Sequence, residues 1–346
     1  MKNIIILSSI SAMALFGCGK SSDDTSTTDT SGTTDTSDTG ELREVESYAM
    51  TVSGFSVEDK TATISTREVV TISVEATYTD GTTGDVTDSS DFTSSDTALL
   101  HFYTSGVGQP LWNGSVDVTG SNGDWSETVT VDITMATAGE GDLSINEILV
   151  DGGAGDANGD GSTGSQADAL YDEFIEITNA SDVTIDISGA FIADSGQGAD
   201  SPRHVFAEGT VLQAGQAIVV FGAINEGSDF TSFPSDNVWY TVSNAVDPDL
   251  PHYLSFNNSG DVIQIVGVDG SALAPAYAYG EDGANEAMED SSAVLSDEVY
   301  GTSYTNHRYV TGSVGDYSPG TMTDGDSFGG PDSVYGLDCC AADTGM

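Results

Sequence analysis

Apolar residues at every second position leave a chain little choice but strand, because successive side chains of an extended backbone point to opposite faces. Val70, Ile72, Val74, Ala76 and Tyr78 alternate with polar residues, as do Val129, Val131 and Ile133, and again Val183, Ile185 and Ile187. Turn residues punctuate these runs at Asp80-Gly81, Ala214-Gly215 and Ser259-Gly260. No stretch longer than a turn or two carries a helical period, so the chain reads as all-β. Residues 282–297, with scattered Ala, Met and Glu, have room for one short helix. A length of 346 residues accommodates two domains with cores of their own.

The most informative stretch is 143–179. Two strand-like segments, 143–150 and 173–178, flank a glycine-rich acidic loop. Within it, Asp156, Asn158 and Asp160 stand at alternate positions and Gly161 follows, the spacing of the first half of an EF-hand calcium loop. Ala167 stands where that loop needs a bidentate glutamate, so this is not an EF-hand. A structural calcium ion is the expectation, with side-chain oxygens from Asp156, Asn158 and Asp160 and the carbonyl of Ser162. A later carboxylate from Asp168, Asp172 or Glu173 would complete the set. The competing reading is a polar turn, where Asp, Asn and Gly recur for conformational reasons alone. Glu147 and Glu176, on the two flanking strands, have the residue types of a glycosidase pair, which needs carboxylates about 5–10 Å apart.

The ordered set Ile145-Asn146-Glu147-Ile148, Asp172-Glu173-Phe174-Ile175-Glu176-Ile177 with Asn179, Leu254 to Asp261, and Ser318-Pro319-Gly320-Thr321 resembles a lamin tail domain over residues 143–322. That resemblance implies an immunoglobulin-like β-sandwich in which Glu147 and Glu176 are framework, with no catalytic centre. Such domains also accompany secreted nucleases and phosphatases, which implies an alternative role as accessory module of a nuclease or phosphoesterase system. Residues 45–137, through Tyr78-Thr-Asp-Gly-Thr-Thr-Gly-Asp-Val86 and Phe92 to Ala98, resemble group-2 bacterial immunoglobulin-like domains. The expected architecture is therefore two immunoglobulin-like β-sandwich domains in tandem, with 137–142 a short hinge. Trp112 and Trp125 are expected in core or hairpin packing.

The N-terminus reads as an address. Lys2 and the apolar run up to Phe16 make a signal segment over 1–17, too short to span a bilayer. Leu15-Phe16-Gly17-Cys18 resembles a lipobox, so Cys18 is the expected lipidation site. Gly19 resembles the pattern sorted to the outer membrane, exposed to periplasm or cell surface. Residues 18–44 are a Ser/Thr/Asp stalk with little apolar surface to offset chain entropy, hence disordered by expectation.

Charge narrows the partners. With 56 acidic and 7 basic residues the formal charge is −49, no footprint for phosphate backbones, so no direct nucleic-acid binding is expected. His101, His204, His252 and His307 lack zinc spacing, and no G-x-S-x-G elbow occurs. Arg203 and Arg308 read as local ion-pair partners. Cys339 and Cys340, in the 323–346 tail, are open to an adjacent or an interchain disulfide. The combined expectation is a non-enzymatic, lipid-anchored envelope protein that contacts the membrane through its anchor and a protein or surface-polymer partner through its sandwich.

Overall fold

A computed structural model describes residues 44–329, apart from 54, 57–60, 154, 196–201, 245–252, 281–282, 284 and 286–290. The signal segment, Cys18, residues 18–43 of the stalk, His252, Cys339 and Cys340 lie outside the described residues. Among the described residues no helix is long and apolar enough to cross a membrane.

The first sandwich is built from β1 (Val45–Val52), β2 (Phe55–Ser56), β3 (Thr61–Ser65), β4 (Val70–Tyr78), β5 (Thr83–Asp85), β6 (Asp91–Ser94), β7 (Leu100–Thr104), β8 (Val107–Pro110), β9 (Gly114–Asn122) and β10 (Trp125–Thr134). One sheet runs β2-β1-β4-β8-β7 with β5 added to β4, and the other runs β3-β10-β9-β6. The alternation in β4 appears directly as burial: Val70, Ile72, Val74 and Ala76 are buried while Thr71, Ser73 and Glu75 face water. Val70, Ile72 and Val74 join Met50, Leu100, Val118 and Val131 in the first core. β3 pairs parallel to β10, Ile64 opposite Ile133, while the other pairings are antiparallel, as in immunoglobulin-like sandwiches. Trp125 stacks on Tyr48 with ring centroids 5.0 Å apart.

The second part adds β11 (Ala136–Thr137), β12 (Leu143–Leu149), β13 (Phe174–Asn179), β14 (Ile185–Asp186), β15 (Phe191–Asp194), β16 (His204–Val205), β17 (Val211–Leu212), β18 (Ala217–Phe221), β19 (Val238–Val242), β20 (Gly260–Val266), β21 (Tyr277–Gly280), β22 (Ala293–Leu295) and β23 (Tyr304–Asn306). Its main sheets run β19-β18-β13-β12-β22-β23 and β16-β15-β20-β21, with a small sheet β11-β14-β17 beside them. Ile148, Ile175, Ile177 and Ile218 from one sheet join Ile192, Ile263, Ile265 and Tyr277 from the other. The six-stranded sheet is also covered on its outer face, where Leu149, Phe174, Val219 and Phe221 lie among Phe230, Phe233, Tyr240 and Phe328. Burial on both faces explains why β18 reads AIVVF without alternation.

Two local features differ from the sequence expectation. The acidic loop carries a two-turn helix, α1 (Gln166–Asp172), opened by a capping box between Ser165 and Asp168. Conversely, the described part of 282–297 holds the strand β22, because its Ala-Val-Leu run pairs with β12. The 137–142 segment is also more tied down than a hinge of small residues suggests. Arg67 pairs with Asp142 and donates to the Thr137 carbonyl at 2.8 Å. The Thr66 hydroxyl accepts from the Ala136 amide at 2.9 Å and donates to the Thr184 carbonyl at 2.7 Å. Thr184 in turn donates to the Leu111 carbonyl at 2.6 Å.

Candidate functional site

β12 and β13 pair antiparallel with Ile145 opposite Ile177 and Glu147 opposite Glu176, so Asn146 is the extra residue of a β-bulge. The bulge turns the Asn146 side chain toward the glutamates. Its Nδ2 donates to Glu176 Oε1 at 2.8 Å, and its Oδ1 accepts from the Val299 amide at 2.8 Å. Both carboxylates are wholly buried. Glu147 Oε1 accepts from the Ser318 amide at 2.9 Å and the Ser292 hydroxyl at 2.5 Å, and its Oε2 accepts from the Ser318 hydroxyl at 2.8 Å. Glu176 Oε2 accepts from the Gly320 amide at 2.7 Å.

The segment above the pair is a tight turn closed by the Thr321 amide on the Ser318 carbonyl at 2.9 Å. Pro319 occupies the second position and Gly320 the third, with φ +87°, the arrangement of a type II turn. A Cβ on Gly320 would lie 1.8 Å from the Tyr240 hydroxyl, so only glycine fits. The Ser-Pro-Gly-Thr motif thus sends two amides down onto two carboxylates, with the one residue lacking an N–H between them.

His307, fully buried, was not singled out from the sequence. Its Nδ1 lies 3.0 Å from the Gly315 carbonyl and therefore carries a proton, while its Nε2 lies 2.9 Å from Ser318 Oγ. The Ser318 hydroxyl so stands between an imidazole and the Glu147 carboxylate. A serine beside a histidine is the geometry of an activated nucleophile. Here, however, the hydroxyl donates to Glu147, and Ser318 and His307 are both buried. No spacing rule joins residues 307 and 318 to 147, since the contact is made only by the fold.

Burial raises the pKa of both glutamates, and the charge of Glu147 raises that of Glu176 further. His307 and the donors from Ser292 and Ser318 oppose the rise at Glu147. Both carboxyls are therefore driven toward the protonated form, with the donors around Glu147 holding its rise in check.

The acidic loop lies beyond the same two strands. Asp156 Oδ2 accepts from the Gly161 amide at 2.9 Å, and its Oδ1 is buried with no hydrogen-bond partner. Asn158 is buried: its amide donates to Asp172 Oδ1 at 3.0 Å and its Nδ2 to the Ala223 carbonyl at 3.1 Å. Asp160 accepts from the Ser162 and Asn225 amides, each at 2.9 Å. The Ser162 hydroxyl donates to Asp168 Oδ1 at 3.0 Å, and Asp168 caps α1. Glu173 turns to another side, accepting from the Phe256 amide at 3.0 Å, and burial raises its pKa well above the usual range. Asp172 is pushed up to about 7 by burial, with the charges of Asp156 and Asp160 adding to the rise. Asp156 and Asp160 are thus within electrostatic reach of Asp172, whereas Asp168 is held by Ser162 and Ser165 and Glu173 by the Phe256 amide. Among the described residues no three His, Cys, Asp or Glu side chains converge as a ready metal site.

Of the two arginines read as ion-pair partners, Arg203 meets Asp194 in a buried pair and Arg308 meets Asp316 at 3.1 Å on the surface.

Residues 136–281 match the family model described as Lamin Tail Domain. Among solved structures, the chain is similar to domains 5–6 of the S-layer protein SbsC, with 12% identity, 68% of this chain and 96% of that chain covered, and a TM-score of 0.22. It is also similar to a DUF4876 family protein from Bacteroides thetaiotaomicron VPI-5482, with 11% identity, 62% of this chain and 65% of that one covered, and a TM-score of 0.26. No curated protein matches the chain.

Proposed function

We propose that this chain, whose residues 136–281 form a lamin tail domain, is a non-catalytic interaction protein of the cell envelope. Its sandwich is presented outward from an acyl anchor on Cys18 for structural or adhesive contact with a protein or surface polymer. The observation that carries this reading is the state of Glu147 and Glu176. A glycosidase acid or nucleophile must meet its substrate, whereas these carboxylates are solvent-excluded and engaged by donors from Asn146, Ser292, Ser318 and Gly320. Their arrangement suits a rivet, fastening residues 318–320 to the middle of the sheet.

Calcium is the finer part of the proposal. The unpartnered Oδ1 of Asp156 and the carboxyl of Asp172 support it, since a divalent ion would engage the first and favour the charged form of the second. Binding would draw Asp156, Asp160 and Asp172 inward, with Asn158, the Ser162 carbonyl and water supplying further oxygens, and brace the loop that α1 begins to order.

The anchoring reading is tested in the native cell by fractionation and by protease added to intact cells. The full chain should sediment with membranes and be cleaved from outside, and Cys18→Ala should release it. A wild-type protein that stays soluble, or a Cys18→Ala variant that still sediments with membranes, would contradict it.

A further inference from the structure

β19 is the edge of the six-stranded sheet and β16 the edge of the four-stranded one, and between them the sandwich stays open as a cleft of about 240 Å³. Ile218 and Trp239 are register partners, so their side chains share one face of the sheet. Ile218 is part of the core between the sheets, but Trp239 is 56% exposed. An indole left in water at the mouth of a core is uncommon, because tryptophan is on average highly buried.

The opposite wall is made by His204 and Phe206, whose rings meet edge to face at 4.8 Å. His204 is 3% exposed and donates to the Val242 carbonyl, while its Nδ1 is buried with no hydrogen-bond partner. Burial pushes this imidazole down to about 4, so at neutral pH it is an uncharged donor and acceptor. Glu208, Thr210, Thr241 and Asn244 supply the polar rim.

Three observations select the ligand. Among the described residues the lining holds no lysine or arginine, so a phosphate or carboxylate would enter without a counter-charge on a chain of net −49. Asn244 accepts from the Val205 amide at 2.8 Å and donates to the Val205 carbonyl at 2.9 Å. Those backbone groups of β16 are therefore already engaged, and a peptide strand adding there would have to displace Asn244. What remains is one exposed aromatic face with hydroxyl, amide and carboxylate groups around it. That combination suits a ring with C–H groups on its faces and hydroxyls around its rim.

We propose that the cleft binds a neutral sugar unit of a polysaccharide, stacked on Trp239 and hydrogen-bonded by Glu208 and Asn244. The inference rests on the interaction reading above and gives the surface polymer a chemical class. Stacking removes apolar area from water on both partners, and the polar rim offers partners to the hydroxyls.

The test is affinity electrophoresis of the full chain through gels containing a neutral glucan, mannan, xylan or galactan, with poly-lysine as control. At least one neutral polymer should retard the protein, and Trp239→Ala should weaken that retardation at least tenfold with an unchanged melting curve. If the variant melts early, acrylamide quenching of wild-type tryptophan fluorescence decides, and the retarding polymer should protect one of the indoles. Absence of retardation by all four polymers, equal retardation of Trp239→Ala, or retardation by poly-lysine alone overturns the proposal. So does a wild-type dimer that Trp239→Ala makes monomeric, which would assign the cleft to a second copy. Cleavage on intact cells without polymer binding sinks only the sugar assignment, and polymer binding by a protein shielded on intact cells sinks only the surface reading.

Discussion

Glu147 and Glu176 face each other in register across β12 and β13, both without exposure to solvent. Two carboxylates placed so would repel and lack hydration. The fold answers with a bulge that brings Asn146 to them and a turn that brings the Ser318 and Gly320 amides. The sequence motifs on either side of this contact, Ile-Asn-Glu-Ile and Ser-Pro-Gly-Thr, are two halves of one hydrogen-bonded joint that spans 171 residues of chain.

The turn depends on Gly320. Alanine there would adopt positive φ and collide with Tyr240, so Gly320→Ala should cost about 3 kcal/mol or more, in the range of other severe single changes. Chemical denaturation of the full chain measures it. A loss below about 1 kcal/mol would mean that the turn is not held against Tyr240 as described.

The junction between the sandwiches separates two kinds of bond. Arg67 is partly exposed and its pair with Asp142 is screened, so Arg67→Ala should change stability by about 0–1 kcal/mol. Thr66 is fully buried and its hydroxyl both donates and accepts, so Thr66→Val should cost about 1–3 kcal/mol by orphaning the Ala136 amide and the Thr184 carbonyl. Limited proteolysis within 137–142 should therefore accelerate more in Thr66→Val than in Arg67→Ala. The reverse order would refute this ranking.

Asp172 gives a pH signature. Its pKa is about 7 in the fold against 3.8 as the ordinary value, so the folded chain holds this proton more tightly than the unfolded chain. Its contribution is fully present below about pH 4 and is lost as pH rises through about 7, with a slope of at most about 1.4 kcal/mol per pH unit. Asp172→Asn should flatten stability against pH between 4 and 7. An unchanged slope in the variant would assign the proton elsewhere.

Calcium would reverse that preference by favouring the charged carboxylate. At a hundredfold excess over Kd a bound ion adds about 2.7 kcal/mol of stability. Melting of the full chain in millimolar calcium should lie above melting in chelator, and Asp156→Ala with Asp160→Ala should erase the difference. Identical wild-type melts, with no heat on calorimetric titration, would leave the loop as a hydrogen-bonded polar turn.

The strands were legible because their alternation is local: the buried and exposed positions of β4 follow from the sequence alone. The motif residues of the lamin tail resemblance also marked the right strands, but not why they matter. A bulge at Asn146 exists only relative to the partner strand, and the contacts of His307 and Ser318 with Glu147 join residues remote in sequence. α1 escaped notice because seven residues are too few for a period, although Ser165 and Asp168 carried the capping-box signal. Trp239 lies in an ordinary strand pattern, and its exposure comes from the edge position of β19.

The central claim, that the acid pair holds the fold together, is tested most directly by comparing Glu176→Gln with Glu147→Gln at neutral pH. Glu176 accepts with each oxygen from a fixed N–H donor, so a glutamine must set its own NH2 against one of them. The loss should be about 1–3 kcal/mol. At Glu147 a glutamine can donate to Ser318 Oγ, whose proton then turns to His307 Nε2, so the loss should stay below about 1 kcal/mol. Glu176→Gln should therefore melt below Glu147→Gln, and the Gly320 amide should lose its protection from hydrogen exchange. A Glu176→Gln variant that melts with the wild type and keeps Gly320 protected would contradict the claim.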